Sequence, residues 1–221
     1  MKGLLFDTSL PTSLTALTSN NQVILQCRRK GDNGHSATLL RDVENLLQEA
    51  GWDYNDLDFI AAGVGPGSFT GVRVSVSTAK GLAFTLKKPV IAVCTLDAIA
   101  AIMPVEMPVA VMIDAGRQRV YAANYPEGTI ARKAEIRIIP LAELAHEFEG
   151  THILAAGPAL LKYRHEIETA MGPSLAGVMD GFDGLTARGF LQAVRQGMEN
   201  PMDPGDLVPL YLQEPTVRKR R

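Results

Sequence analysis

Apolar positions alternate or cluster in short runs at the start of the chain: residues 4–7, 13–18 and 23–28 read as three successive strands. Ser9-Leu10-Pro11-Thr12 and Ser19-Asn20-Asn21 separate them as turns, which predicts an antiparallel meander. The period then changes. Leu39, Val43, Leu46 and Ala50 fall on one helical face, widened by Leu40 and Leu47, with His35-Ser36 opening the helix and Gly51 closing it. An apolar run at 59–64 reads as a buried strand, residues 70–86 as a helix and 90–94 as a strand, completing a βββαβαβ order. A meander followed by alternation predicts a mixed sheet with helices packed on it, an α/β fold.

A second block starts near residues 104–108. Val109-Ala110-Val111-Met112-Ile113-Asp114 repeats the pattern of Leu4-Leu5-Phe6-Asp7, a strand ending in Asp, and a further strand follows at 120–125. The chain reads as internally duplicated. Beyond it the pattern predicts strands at 130–139 and 153–156 and helices at 141–148, 160–170 and 185–198. Residues 171–184, rich in glycine, read as loop.

With 221 residues, 46% of them hydrophobic, and a net charge of −2, the chain suits one sizeable globular domain or two small ones. There is no overall basic field, so unaided tight binding to nucleic acid is not expected. The basic tail Val217-Arg218-Lys219-Arg220-Arg221 leaves two readings open, a solvated terminus or a helper contact to RNA or a partner. The first apolar run is too short for a signal peptide and no stretch suits a bilayer span, so a cytoplasmic protein is expected. Cys27 and Cys94 lie far apart in apolar runs and are expected as buried free thiols. No pair among the four histidines has helical i,i+4 spacing, so no metal site is expected.

The densest signal is Gly65-Pro66-Gly67-Ser68-Phe69-Thr70-Gly71, a glycine loop joining the fourth strand to the second helix, with Ser68 or Thr70 placed to cap that helix. A strand, a tight loop and a helix N-terminus form a natural anion site. Neither phosphate fingerprint fits. A P-loop would follow its last glycine with Lys and Ser or Thr, whereas Gly71 is followed by Val72-Arg73, and the dinucleotide pattern needs glycine where Thr70 stands. A phosphate cradle and a ligand-free tight turn both remain open. The helix itself has two small faces, Val72, Val76, Ala79, Ala83 and Leu86 on one and Gly71, Val74, Ser75, Thr78 and Leu82 on the other.

The segment GPGSFTGVRVSVSTAKGLA resembles the signature of the TsaB (YeaZ) family. Asp7-Thr8-Ser9, His35-Ser36, Asp114-Ala115-Gly116-Arg117 and Pro209-Leu210-Tyr211-Leu212 match that family in the expected order, so the resemblance spans nearly the whole chain. It implies a two-lobed actin-like ATPase (ASKHA, ribonuclease H-like) fold. The lobes would be 1–104 and 105–221, with the C-terminal segment packing back on the first.

It also implies a non-catalytic subunit that binds and activates the catalytic TsaD. TsaD transfers threonylcarbamoyl from its adenylate to adenosine 37 of tRNAs reading codons that begin with adenine. A TsaE-like ATPase would join the larger complex, the chain alone would form a homodimer, and tRNA would be met only through the complex. The contact with TsaD or a second copy would use His35, Leu39, Leu40, Val43 and Leu47 on the first helix, and Gly71, Val74, Ser75, Thr78 and Leu82 on the second.

In an actin-like ATPase the equivalents of Asp7, Thr8, Ser9 and Asp114 would face a nucleotide, and they are the cofactor-binding candidates here. The first hairpin lacks glycine, Pro11 removes a donor, and Ala155-Ala156-Gly157-Pro158 has one glycine where catalytic relatives have a glycine-rich turn. No firmly bound cofactor is therefore expected, with ATP or ADP at the partner interface left open. Leu39 stands four residues after His35, where the catalytic relative has its second metal histidine, so no metal is expected. The alternatives are an autonomous small actin-like ATPase or phosphotransferase using Asp7 and Asp114, and a peptidase, which would need a metal.

Overall fold

The computed structural model describes residues 1–30, 35–103, 106–128, 134–179, 184–198 and 201–212, with the backbone alone for 35–37. Strands β1 (Lys2–Asp7), β2 (Thr12–Ser19) and β3 (Gln22–Lys30) form the predicted meander, and α1 (His35–Ala50) follows. Next come β4 (Phe59–Gly65), α2 (Phe69–Leu86), β5 (Val90–Cys94) and α3 (Thr95–Ala100). The second half repeats this order as β6 (Val109–Asp114), β7 (Arg119–Tyr125), β8 (Ile136–Pro140), α4 (Leu144–Glu147), β9 (Ile153–Ala156), α5 (Leu160–Met171), β10 (Leu175–Val178) and α6 (Ala187–Gly197).

The two sheets have the same topology. One runs β3-β2-β1-β4-β5 and the other β8-β7-β6-β9-β10. In each, the hairpins are antiparallel and the central strand pairs in parallel with the strand after the crossover. The duplication suggested by two Asp-ended strands is thus carried through every strand of both sheets. Residues 130–133 of the strand expected at 130–139 lie outside the described residues, and among the described residues two elements depart from expectation. Residues 175–178, read as loop, form β10, and residues 95–100 form the unanticipated α3. Both are short. A four-residue strand and a single helical turn and a half show too few periods to be read from spacing.

Packing follows from strands that are apolar on both faces. Leu4, Phe6, Ile60 and Ala62 point to one side of the first sheet, where α1 and α2 cover them with Leu39, Val43, Leu47, Val72 and Val76. Leu5, Leu14, Ala61 and Val93 point to the other, where α3 and α6 lie between the sheets and meet Val111, Ile113 and Tyr125 of the second sheet. The outer face of the second sheet packs on α4 and α5 through Met112, Leu144, Tyr163 and Ile167. A bidentate ion pair anchors α1, with Arg29 Nε 2.7 Å from both carboxylate oxygens of the buried Asp42.

The chain returns to the first sheet with α6, where Arg195 donates to the Asn21 carbonyl and Gly197 lies against Ile91, and the segment after it stays on that lobe. Met202 bridges Val90 across the β5 edge, Lys80 donates to the Gly205 carbonyl at 3.0 Å, Leu207 is fully buried, and the Leu210 N–H donates to Val64 at 2.8 Å. This strap runs along α2. Among the described residues, no helix is long and apolar enough to cross a membrane.

Candidate functional site

The glycine loop presses on the first hairpin. Ser68 caps α2, its hydroxyl accepting from the Gly71 N–H at 3.3 Å, while Gly65 takes a left-handed φ of 97° and the Gly65–Pro66 peptide is cis. The Ser68 N–H donates to the Ser9 carbonyl at 2.7 Å, and the Thr8 hydroxyl donates to the Gly71 carbonyl at 2.6 Å. A Cβ on Gly63, Gly67 or Gly71 would collide with the Asp7 carboxylate, the Ser9 carbonyl or the Thr8 carbonyl respectively. The glycines therefore serve the close approach of two backbone segments, and the tight-turn reading describes this loop. The loop covers the hairpin that a phosphate would have to reach.

Asp7, Thr8 and Ser9, the expected nucleotide-facing residues, are each only 1% exposed. The Asp7 carboxylate accepts from the Ser9 N–H at 2.6 Å and from the Thr95 hydroxyl at 2.7 Å, and the Ser9 and Thr95 hydroxyls are 3.1 Å apart. Burial pushes the Asp7 carboxyl up from its ordinary value of 3.8, and the hydrogen bonds from Ser9 and Thr95 partly oppose the shift.

Asp114 ends β6 at the equivalent place, and it accepts from the Gly116 N–H at 2.7 Å and from Lys162 Nζ at 2.8 Å. The lysine, paired with Asp114, is held above its ordinary value. Each Asp is thus engaged within its own lobe. Gly157, in the turn that stands where catalytic relatives have a glycine-rich one, packs against the Met112 carbonyl, where a Cβ would collide. Among the described residues, no three His, Cys, Asp or Glu side chains cluster as a metal site.

The expected contact residues divide. Leu39, Val43 and Leu47 are buried in the first lobe's own core, and Gly71 and Ser75 are buried too, with the Ser75 hydroxyl donating to the Phe6 carbonyl at 3.4 Å. That is a correction to the expected contact surface. Gly71 and Ser75 flank Val72 and Val76 on the sheet side of α2, and the small-residue periodicity did not show which side the sheet takes.

Leu40 (45% exposed), Val74, Thr78 and Leu82 remain accessible. Leu40, Thr78 and Leu82, with Tyr54, Gly81, Thr85 and Leu86, line an open, largely apolar groove of about 460 Å³ between α1 and α2. Phe84, 62% exposed, stands on the outer face of α2. The side chain of His35 lies outside the described residues. Tyr54, Gly81, Thr85, Leu86 (grouped by periodicity with the Val72 face of α2) and Phe84 were missed by sequence reasoning. A bulky Phe near the end of a helix built mostly of small residues was the available signal for the last of these.

Residues 29–168 match the family model described as TsaD: tRNA N6-adenosine threonylcarbamoyltransferase. The tRNA threonylcarbamoyladenosine biosynthesis protein TsaB of Escherichia coli is 32% identical over 66% of this chain and 65% of its own length. The Bacillus subtilis protein of the same name is 35% identical over 55% of this chain and 54% of its own. YeaZ from Pseudomonas aeruginosa superposes with a TM-score of 0.81 at 26% identity, covering 96% of this chain and 99% of that one. A ROK hexokinase from Thermus thermophilus, 11% identical with a TM-score of 0.50, shares the fold alone, which is the actin-like two-sheet architecture. With a family model covering more than half of the chain and YeaZ matching over nearly all of it, the protein belongs to the TsaD tRNA N6-adenosine threonylcarbamoyltransferase family, on its TsaB (YeaZ) branch.

Proposed function

We propose that this protein is the non-catalytic subunit that a TsaD-like transferase needs to place threonylcarbamoyl on adenosine 37 of tRNAs. The reading is carried by one observation. The chain exposes an apolar groove across α1 and α2, while the hairpin that would bind nucleotide in an actin-like ATPase is buried under its own glycine loop. An exposed apolar groove on a stable lobe suits a partner's helices, which bury their apolar face in it. The names of the TsaB relatives, biosynthesis proteins for threonylcarbamoyladenosine, support the same assignment.

Leu40, Val74, Thr78 and Leu82 would touch the partner directly, and Leu39, Val43 and Leu47 would hold α1 in place behind them. The catalytic residues and any metal belong to the TsaD-like subunit. A TsaE-like ATPase joins the assembly in the cytoplasm, ATP or ADP sits at the partner interface if anywhere on this chain, and tRNA is met through the complex. Without the partner, a second copy covers the groove.

The test is co-purification of this chain with a TsaD-like subunit, followed by a tRNA modification assay with threonylcarbamoyl-AMP. Wild type is expected to form the complex and support modification, and Leu82→Arg and Leu40→Arg to lose both while keeping their melting temperatures. Undiminished assembly by both variants would remove the groove from the interface. Micromolar ATP binding by the isolated chain, with turnover abolished in Asp7→Ala, would establish the autonomous ATPase instead.

A further inference from the structure

Helix α3 lies in the layer between the two sheets and reaches a buried polar partner in each. At its first residue, the Thr95 hydroxyl donates to Asp7 Oδ2 at 2.7 Å, at the end of the central strand of the first sheet. Two residues on, Asp97 Oδ1 accepts from the Tyr125 hydroxyl at 2.7 Å, at the end of β7 in the second sheet. Asp7 and Thr95 are 1% and 0% exposed, so water does not compete for the first bond; in the second, Tyr125 is 2% exposed and Asp97 half-buried, so that bond is shielded from the tyrosine side. Around them the layer is apolar, built from Leu96, Ile99, Ile113 and Phe190.

Apolar contacts are non-directional and tolerate small sliding between packed elements, whereas hydrogen bonds fix distance and angle. Thr95 and Asp97 are held on a single helical turn, so their separation is rigid. Burial, with the Asp97 carboxylate beside it, keeps the Tyr125 hydroxyl protonated far above the ordinary tyrosine range, which makes it a permanent donor. We infer that Asp7–Thr95 and Asp97–Tyr125 act together as a latch that fixes the angle between the two sheets. Asp7 is then a positioning residue that works through Thr95. The assignment concerns the joint between the lobes and stands independently of the partner groove.

A latch requires that breaking one end be felt at the other. The Ser9 N–H, bonded to Asp7 Oδ1 in the first sheet, is the reporter. In amide hydrogen exchange on the full chain, Tyr125→Phe removes only a hydroxyl from the second-sheet end. The expected result is about tenfold faster exchange at Ser9 and along α3, matching the loss of one net hydrogen bond. Exchange in α1 and α5 should stay within about twofold of wild type. Thr95→Val should give the same pattern and Thr95→Ser should restore protection. Two results would overturn the inference. One is Ser9 protection unchanged in Tyr125→Phe, which would make the two bonds independent. The other is equal acceleration in α1, α3 and α5, which would reduce the effect to global destabilisation.

Discussion

Thr8 and Gly71 are joined by a 2.6 Å hydrogen bond from the threonine hydroxyl to the glycine carbonyl, across 63 positions of sequence. The same closeness leaves no room for a side chain on Gly71, because a Cβ would run into the Thr8 carbonyl. Both walls are backbone, held by β1 on one side and α2 on the other, so neither yields cheaply. Gly71→Ala is expected to destabilise the fold by about 3 kcal/mol. In a chain of this length that lowers the melting temperature by roughly 6–12 °C. Gly81, in the same helix, has nothing within 4 Å of the equivalent position. Gly81→Ala should instead raise stability by roughly 0.5–1 kcal/mol, since alanine is the better helix former. Equal melting temperatures for the two variants would contradict the packing described for the loop.

Phe84 separates stability from association. It is 62% exposed, so Phe84→Ala should change unfolding free energy by less than about 0.5 kcal/mol. If the outer face of α2 is covered in the complex, the same change should weaken binding to a TsaD-like partner roughly tenfold or more, as an aromatic at an interface core does. Leu39→Ala should do the reverse of this in the free chain and cost about 2–5 kcal/mol, because Leu39 is only 2% exposed. Chemical denaturation and titration calorimetry on both variants check the pair.

Asp7 has a pH signature of its own. Its folded-state value is raised above 3.8 by burial, so between 3.8 and the folded value the native state holds a proton that the unfolded state has released. Stability from this group is therefore present in full at low pH and falls as pH rises through that window, after which it is level. Asp7→Asn removes the titration, so its stability relative to wild type should rise with pH across the window and then plateau. The Cys94 thiol, whose value is raised in part by Asp7, is itself pushed up to about 12, mainly by burial, and does not titrate there. Urea unfolding of both proteins between pH 4 and 8 tests it, and parallel stability profiles would exclude the effect.

Much of this architecture was legible because its signals are local. The meander, the amphipathic α1 and the glycine loop each occupy one stretch of chain, and the Asp-ended strands β1 and β6 marked the duplication. The partner surface was only half legible. Helical periodicity grouped Gly71, Ser75, Val74, Thr78 and Leu82 on one face, but small residues serve equally to admit a sheet or a second helix, and only the fold shows that Gly71 and Ser75 face Thr8 and Phe6. Thr95 was invisible for a different reason. It is an ordinary polar residue at the start of a six-residue helix, and its role comes from Asp7, 88 positions away.

The strap is the part of the fold furthest from anything a local pattern could show, and it makes its own prediction. Tyr211 accepts from Arg73 Nε at 2.9 Å and stacks on Phe69 with ring centroids 5.3 Å apart, while the Arg73 guanidinium lies 3.8 Å from the centre of the Phe69 ring. These contacts are exposed, and exposed cation–π and tilted aromatic pairs contribute about 0.5–1 kcal/mol each. Leu207 is different. It is fully buried in the core that α1 and α2 share with the first sheet, and it fixes the strap from within. Tyr211→Ala should thus cost about 1 kcal/mol and free the end of the strap, and Leu207→Ala about 2–5 kcal/mol. Because the strap touches α2 at Lys80 and Arg73, loosening it should also soften the helix that lines the groove. Limited proteolysis is then expected to cut near residues 201–212 first in Tyr211→Ala, with α2 still protected, whereas Leu207→Ala should expose α2 as well. Identical cleavage patterns in the two variants would mean that the strap does not support α2.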